Sequence, residues 1–407
     1  MKEISYLILN LLLIVSCSKS NDDTINEITT IDILTTKNSY PIVDTGVADF
    51  YNNTTVISTP TLGETFFGQD ATYNGNEPSY TNNGDGTITD NVTGLMWEQD
   101  MGTKITFNEA FTKAENSNLG NHSDWRGPTI KELYSLILFT GSVQGESAIN
   151  PFIDTNYFNQ PLGNTSIGER EIDAQTWSST QYVGYTMNND ETVFGVNFID
   201  GRIKGYPKYN PANPNQDKTM YFRMVRGNTS YGINNFTDNN NGTVTDEATR
   251  LVWQKADDGI ARDWENALTY AENLNLGGKS DWRLPNAKEL QSIVDYSRSP
   301  QTTNSPAINL LFDTTEITDP NGNPGQYPYF WTGTTHLDGI NPYSGAVYIA
   351  FGEAQGEMFD SLLDVHGAGS QRSDPKTGDS ANYPAYFGPQ GDVQYIFNYV
   401  RCVRNVE

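Results

Sequence analysis

The chain has 407 residues, enough for two domains at about 100–200 residues each. Aromatic residues make up 12% and charged residues only 18%, a balance that suits a folded, turn-rich protein better than a disordered one. The net charge of −25, from 25 basic and 50 acidic residues, repels nucleic acid and anionic lipid headgroups, so no nucleic-acid partner is expected and cations would be attracted.

The amino terminus reads as an address. Lys2 opens a basic stretch and Tyr6 to Val15 form an apolar run, far shorter than the about 20 residues that a membrane-spanning helix needs. The run ends Ile14-Val15-Ser16-Cys17, which resembles the lipobox of bacterial lipoproteins. That resemblance implies a signal peptide over 1–16, lipidation of Cys17, and an outer-membrane location with the lipid as the sole membrane contact. Residues 17–39 are rich in Thr, Asn, Asp and Ile without helical period and read as a flexible tether. Within it, Asp22-Asp23 resembles the surface-export tethers of bacterial lipoproteins and implies an outward-facing protein. Cleavage would remove Lys2 and Glu3 and leave the net charge unchanged. With Cys17 acylated, Cys402 has no intramolecular partner and the fold stands without a disulfide.

The rest of the chain repeats itself. Gly86-Thr87-Ile88-Thr89-Asp90 returns as Gly242-Thr243-Val244-Thr245-Asp246, and Leu95-Met96-Trp97 as Leu251-Val252-Trp253, with the tryptophans 156 positions apart. Ser123-Asp124-Trp125-Arg126-Gly127-Pro128 matches Ser280-Asp281-Trp282-Arg283-Leu284-Pro285, and Lys131-Glu132-Leu133 matches Lys288-Glu289-Leu290. Thr176-Trp177-Ser178 answers Phe330-Trp331-Thr332, and Phe222-Arg223-Met224-Val225-Arg226 answers Val400-Arg401-Cys402-Val403-Arg404. The order is kept throughout, which places one copy over 40–228 and the other over 229–407.

In chain order, each Gly-Thr-x-Thr-Asp segment and its Leu-x-Trp segment alternate polar and apolar residues and predict a β-hairpin. A helix follows. Phe107, Ala110, Phe111 and Ala114 form its apolar stripe in the first copy, with Thr106 and Glu109 as a capping box. In the second copy Trp264, Ala267, Leu268, Ala271 and Leu274 form the stripe, with Asp263 as the N-cap. A second helix starts after each proline, where Thr129 with Glu132 and Asn286 with Glu289 have cap spacing; capping is favoured over catalysis for these glutamates. Closing runs such as Tyr395 to Arg401 predict strands of an antiparallel sheet.

This ordered set of landmarks resembles the Lcl C-terminal domain family, a bacterial domain long of unknown function. Pro41 to Gly46 and Phe66 to Ala71 also look like that family's lead-in, so the resemblance covers about residues 40–407. The Arg-Leu-Pro-x-x-x-Glu segment beginning at Arg283 is in addition similar to a motif of the formylglycine-generating sulfatase-modifying family. That distant likeness implies an α+β fold of tandem C-type-lectin-like domains, each with two helices on small twisted antiparallel sheets and long loops. Gly127 stands where the motif has Leu, which would weaken packing there. The Lcl family's named member is an adhesin that binds sulphated polysaccharides, so the resemblance implies carbohydrate or matrix binding. The net charge opposes a polyanion unless a local basic patch overrides it, and favours a neutral glycan, a protein partner or a contact bridged by Ca2+.

A non-catalytic binding or adhesion module is therefore the expectation, with an envelope component that binds a protein partner as the alternative and an enzyme as the weaker one. Formylglycine-type chemistry needs a pair of cysteines near the carboxy terminus, where this chain has Cys402 alone, a residue better read as buried structure. His122, His336 and His366 have no metal-ligand spacing. No cofactor is expected, although Asn83, Asp85 and Asp90, like Asp238, Asn240 and Asp246, cluster oxygens that suit Ca2+ or, more simply, an Asx-rich turn. Trp125-Arg126 and Trp282-Arg283 read as core tryptophans and arginines bonded to backbone, and Trp97, Trp177, Trp253 and Trp331 as core. Ligand contacts are sought where the copies diverge, on loops that carry Tyr206, Tyr209, Tyr343, Tyr383 and Tyr386.

Overall fold

Two hairpins and four short helices recur, and their sequence causes are visible side by side. The computed structural model describes residues 40–143, 148–210 and 213–406; Cys17, the signal-like segment and the tether lie outside the described residues. In the first copy strands β1 (Thr87–Asp90) and β2 (Leu95–Glu98) pair antiparallel, Ile88 opposite Trp97. Asp90 makes the turn: its Oδ1 accepts from the backbone N–H groups of Val92 at 2.9 Å and Thr93 at 3.1 Å. The helices α1 (Phe107–Glu115) and α2 (Ile130–Tyr134) each open on a full capping box, Thr106 with Glu109 and Thr129 with Glu132. Three strands follow, β3 (Gln175–Gln181), β4 (Thr192–Asn197) and β5 (Arg202–Pro207), and then β6 (Val225–Gly227), which returns to pair with β2.

The second copy repeats the series as β7 (Thr243–Asp246), β8 (Leu251–Gln254), α3 (Trp264–Glu272), α4 (Ala287–Ser292), β9 (Tyr329–His336), β10 (Gly345–Ala350), β11 (Gln371–Pro375) and β12 (Val403–Asn405). Asp263 caps α3, accepting from Asn266 N–H at 2.9 Å, and Asn286 with Glu289 boxes α4. Leu274 falls past the end of α3 and packs on the core from the following turn. The expected strand over Tyr395 to Arg401 is not formed. That run is held by single bridges, Asn398 to Arg262 and Tyr399 to Phe330, before β12 begins at Val403. The architecture is mostly β, with few and short helices and several small antiparallel sheets among the described residues.

The copies do not stand apart. Six strands form one sheet in the order β9-β10-β11-β5-β4-β3, so the inner strand of each copy meets the other at the centre. Ile203 pairs with Gln371 across this seam, and Gly205 N–H donates to His366 O at 2.8 Å. Gly205 has to be glycine here, since a Cβ would sit 2.7 Å from that carbonyl oxygen. One core cluster draws on both copies, taking Trp97, Leu133 and Phe194 from the first and Trp253, Leu290 and Ile349 from the second.

The helices also meet across the seam with two-fold reciprocity. Lys131 Nζ donates to Ser292 O at 2.7 Å and Lys288 Nζ to Ser135 O at 2.9 Å. Each lysine is completed by the lead-in that precedes the opposite copy: Asn234 Oδ1 for Lys131 at 2.7 Å, Asp44 O for Lys288 at 2.9 Å. Tyr40 and Tyr231 pack edge to face between them, ring centroids 4.4 Å apart. Residues 40–76, which lead into the first copy, thus lie largely against the second. Tyr51 stacks on Tyr343 and Phe66 packs near Trp264.

Gly127 does not weaken its copy. Phe111 fills the space, and a Cβ on Gly127 would come 2.7 Å from its ring, whereas the second copy pairs Leu284 with the smaller Leu268. Gly127→Leu should therefore cost roughly 1–3 kcal/mol by overpacking. Adding Phe111→Leu should restore most of it in denaturant unfolding. A single variant as stable as the parent would refute the size exchange.

Candidate functional site

The motifs repeated in the two copies are structural braces. Arg126 pairs with Glu132 through bonds of 2.7 and 2.5 Å, and Arg283 with Glu289 through two of 2.6 Å. The partner is the capping glutamate and not backbone, which corrects the sequence expectation: the fork of the guanidinium fits a carboxylate that is already fixed by its helix start. Trp125 and Trp282 are buried and donate their indole N–H to Leu119 O and Leu276 O. Arg226 and Arg404 close the loop by holding Asp124 and Asp281. Arg223 and Arg401, fully buried, donate to the carbonyls of Glu98 and Gln99, and of Gln254 and Lys255. Breaking such a pair strands a buried charge, so Glu289→Ala should cost roughly 3–5 kcal/mol. Glu132→Ala should cost less, because Arg126 is 30% exposed and Arg283 only 10%, and the former can rehydrate. Melting temperatures of the two variants compare them directly.

The Asx-rich loops use their oxygens for turns. Asp85 Oδ1 accepts from Thr87 N–H and hydroxyl, and Asn83 donates to Thr87 and Thr89. Asp238 accepts from Lys255 and from Asn240 N–H, while Asp246 gathers the amides of Asn235 and Ala248. Among the described residues no three His, Cys, Asp or Glu side chains group as a cation site. Cys402 is buried, and burial pushes its thiol well above the usual range.

Of the five tyrosines, the structure brings Tyr206 to a cleft. It lies on strand β5 and not on a loop, with its ring largely buried beside Trp177 and Met220. Tyr209 sits in the small hairpin of Tyr209–Asn210 and Asn213–Asp217, its hydroxyl 3.4 Å from Glu191. Tyr343 has one face against Tyr51. Tyr383 and Tyr386 belong to the region between β11 and β12, where Tyr386–Phe387 pairs with Asp392–Val393. This pair joins the hairpin of Gln355–Met358 and Ser361–Asp364 in a small four-stranded sheet peculiar to the second copy.

The cleft crosses the seam of the central sheet and encloses about 580 Å³. Arg202, Lys204 and Tyr206 face it from alternate positions of β5, Arg372 from β11, Lys218 and Arg170 from the first copy's loops, and Phe387 and Gln390 from the second copy's small sheet. Five cations meet four carboxylates, those of Asp173, Asp200, Asp338 and Asp392. Most are paired: Arg202 with Asp338 and Asp200, Arg372 with Asp392, Arg170 with Asp173. Lys204 is not. Among the described residues its ammonium has no hydrogen bond or ion pair, and burial, with Arg372 and Arg202 nearby, lowers its pKa to about 7 against the pull of Asp200 and Asp392. Burial likewise lowers Lys218 to about 8, its ammonium 5.0 Å from the Tyr206 ring centre. An acidic protein thus carries a local pocket short of negative charge. Sequence reasoning passed over Lys204, Lys218 and Arg372; the signal for the first was the two-residue alternation that puts it on one strand face with Arg202 and Tyr206.

A family model for the Lcl C-terminal domain matches residues 86–226 and 242–362, more than half of the chain. The protein belongs to the Lcl C-terminal domain family. Both matched stretches run from the hairpin into the central sheet, so this chain holds two family domains that share their largest sheet. No curated protein and no solved structure gives a match. Among the described residues no helix is long and apolar enough to cross a membrane.

Proposed function

We propose that this Lcl-domain protein is a non-catalytic binding and adhesion module, held at the bacterial surface through a lipidated Cys17, and that its central cleft takes an acidic carbohydrate of the cell surface or matrix. The observation that carries the reading is Lys204: a half-buried lysine, unpaired among the described residues, facing a cleft of about 580 Å³ beside Tyr206. An unpaired buried charge costs stability and is expected where a ligand supplies the missing partner. On this reading Lys204 and Lys218 take a carboxylate or sulfate group, and the sugar ring lies along the cleft wall to which Tyr206 contributes. The whole-chain charge of −25 argued for a neutral ligand, but a low-dielectric cleft with its own excess of cations outweighs charges more than a Debye length of about 8 Å away.

The test is an array of uronic-acid, sulphated and neutral oligosaccharides. Acidic members should bind and neutral ones of equal length should not. Lys204→Met should lower affinity at least about tenfold, the value of one charge-assisted hydrogen bond. The same change should leave the melting temperature unchanged or higher, because it removes an unpaired cation. Preference for neutral sugars, or full affinity in the variant, would reject the cleft.

The pH dependence has a definite sign. Lysines at about 7 and 8 are charged below those values and neutral above them, so affinity for an anion should fall as pH rises from 6 to 9. A flat titration-calorimetry profile over that range would rule out both lysines as contacts.

A further inference from the structure

The two copies are braced alike, yet one groove is filled and its counterpart is open. In the second copy the groove beside the Arg283–Glu289 pair is occupied by the lead-in, and three contacts hold it. Asp70 Oδ2 accepts from the hydroxyl of Thr334 at 2.5 Å, the same Thr334 whose Oγ1 accepts the first amide of α4 from Ala287. The Tyr73 ring lies over the Arg283 guanidinium at 5.2 Å. The Tyr73 hydroxyl donates to Glu272 at the end of α3. Under this cover every residue of β9 is buried, and the pair of Arg283 and Glu289 is 10% exposed on both sides.

The first copy has the same receptors without the occupant. Thr180 accepts the first amide of α2 from Ile130 at 2.9 Å, as Thr334 does, and its own hydroxyl has no acceptor among the described residues. The Arg126 guanidinium is 30% exposed where Arg283 is covered. Glu115, at the end of α1 as Glu272 is at the end of α3, is exposed. The end of β3 opens to solvent from Ser179 to Gln181, whereas β9 is covered along its length. A groove of about 660 Å³, lined in part by Arg126, Thr129, Glu132 and Thr180, marks the vacancy. The cause lies in the sequence: forty residues, 40–79, lead into the first copy's strand Tyr80–Asn82, but only eight, 228–235, lead from β6 to its counterpart Phe236–Asp238, and of these Tyr231 and Asn234 are already engaged with Tyr40 and Lys131.

We propose that the open groove of the first copy docks a peptide of a partner protein that carries an aspartate and, one 3-10 turn and three residues on, a tyrosine, as the Asp70–Thr72 turn does in the second copy. The aspartate accepts from Thr180, the tyrosine ring covers Arg126, and its hydroxyl donates to Glu115, as Asp70 and Tyr73 do in the second copy. A second molecule of this chain is not the occupant, because lending its lead-in would open the same groove in the lender. The inference does not rest on the glycan reading, and the residues of the groove are not those of the cleft.

The probe is a labelled synthetic peptide of residues 64–75, titrated into the purified full chain by fluorescence anisotropy. Saturable one-to-one binding is expected, weakened about tenfold by Asp70→Asn or Tyr73→Phe in the peptide. Thr180→Val and, independently, Glu115→Ala in the protein should weaken it by a similar factor; Glu115 is exposed, so that variant tests the contact without a folding defect. Glu272→Ala and Thr334→Val should not weaken it. Three results would each overturn the proposal: no saturation at millimolar peptide, equal binding of a scrambled peptide, or binding lost with Thr334→Val and kept with Thr180→Val.

Discussion

Everything in this molecule follows from the need to cover one edge strand. A half-sheet of β3, β4 and β5 would leave β5 with a row of unpaired N–H and C=O groups, a surface that folded proteins must cover, charge or pair. Here each copy covers the other, through the pairing of Ile203 with Gln371 and the bond from Gly205 to His366. The lysines of the two facing helices then reach carbonyls that exist only across the seam. Lys288 is buried and Lys131 half-buried, and desolvation pushes them down to about 7 and about 8; the oxygens around each make that tolerable.

The seam also fixes where chemistry can collect. Arg202 from one copy finds Asp338 from the other, and Arg372 on β11 faces Lys204 on β5. Bringing two basic strand faces together concentrates positive charge in a chain whose acidic residues outnumber its basic ones two to one. The small sheet of the second copy walls this region on one side only, so the pseudo-symmetry that builds the frame is broken where ligand contacts are proposed.

Local features were legible in the amino-acid order because local forces decide them. Asp90 and Asp246 turn their hairpins with neighbouring amides, and Thr106, Thr129, Asp263 and Asn286 cap helices within three residues of themselves. The shared sheet was not legible, since strands from positions near 203 and 371 carry no mark of being neighbours. One hint was present: Lys131 and Lys288 sit in the first turn of their helices, where the dipole disfavours a cation. Their recurrence at that unfavourable place signalled a specific acceptor. The tyrosines were sought on divergent loops, but an aromatic residue shows nothing of its burial in sequence, and Tyr206 and Tyr343 already spend much of their surface on Trp177 and Tyr51. Arg223 and Arg401 read as strand residues, whereas their charge is used on carbonyls far away in the chain.

Joining both halves of a two-fold pair in one polypeptide changes the order of the assembly reaction. Two separate subunits would meet across the seam only as their concentration allowed, and dilution would part them. Within a single chain the partner is present at an effective concentration set by the eight or so residues between the copies, in the millimolar range for a short flexible connector. The pair therefore forms at any dilution. Each half is also free to change without its twin, which is how one groove comes to be closed and the other left open.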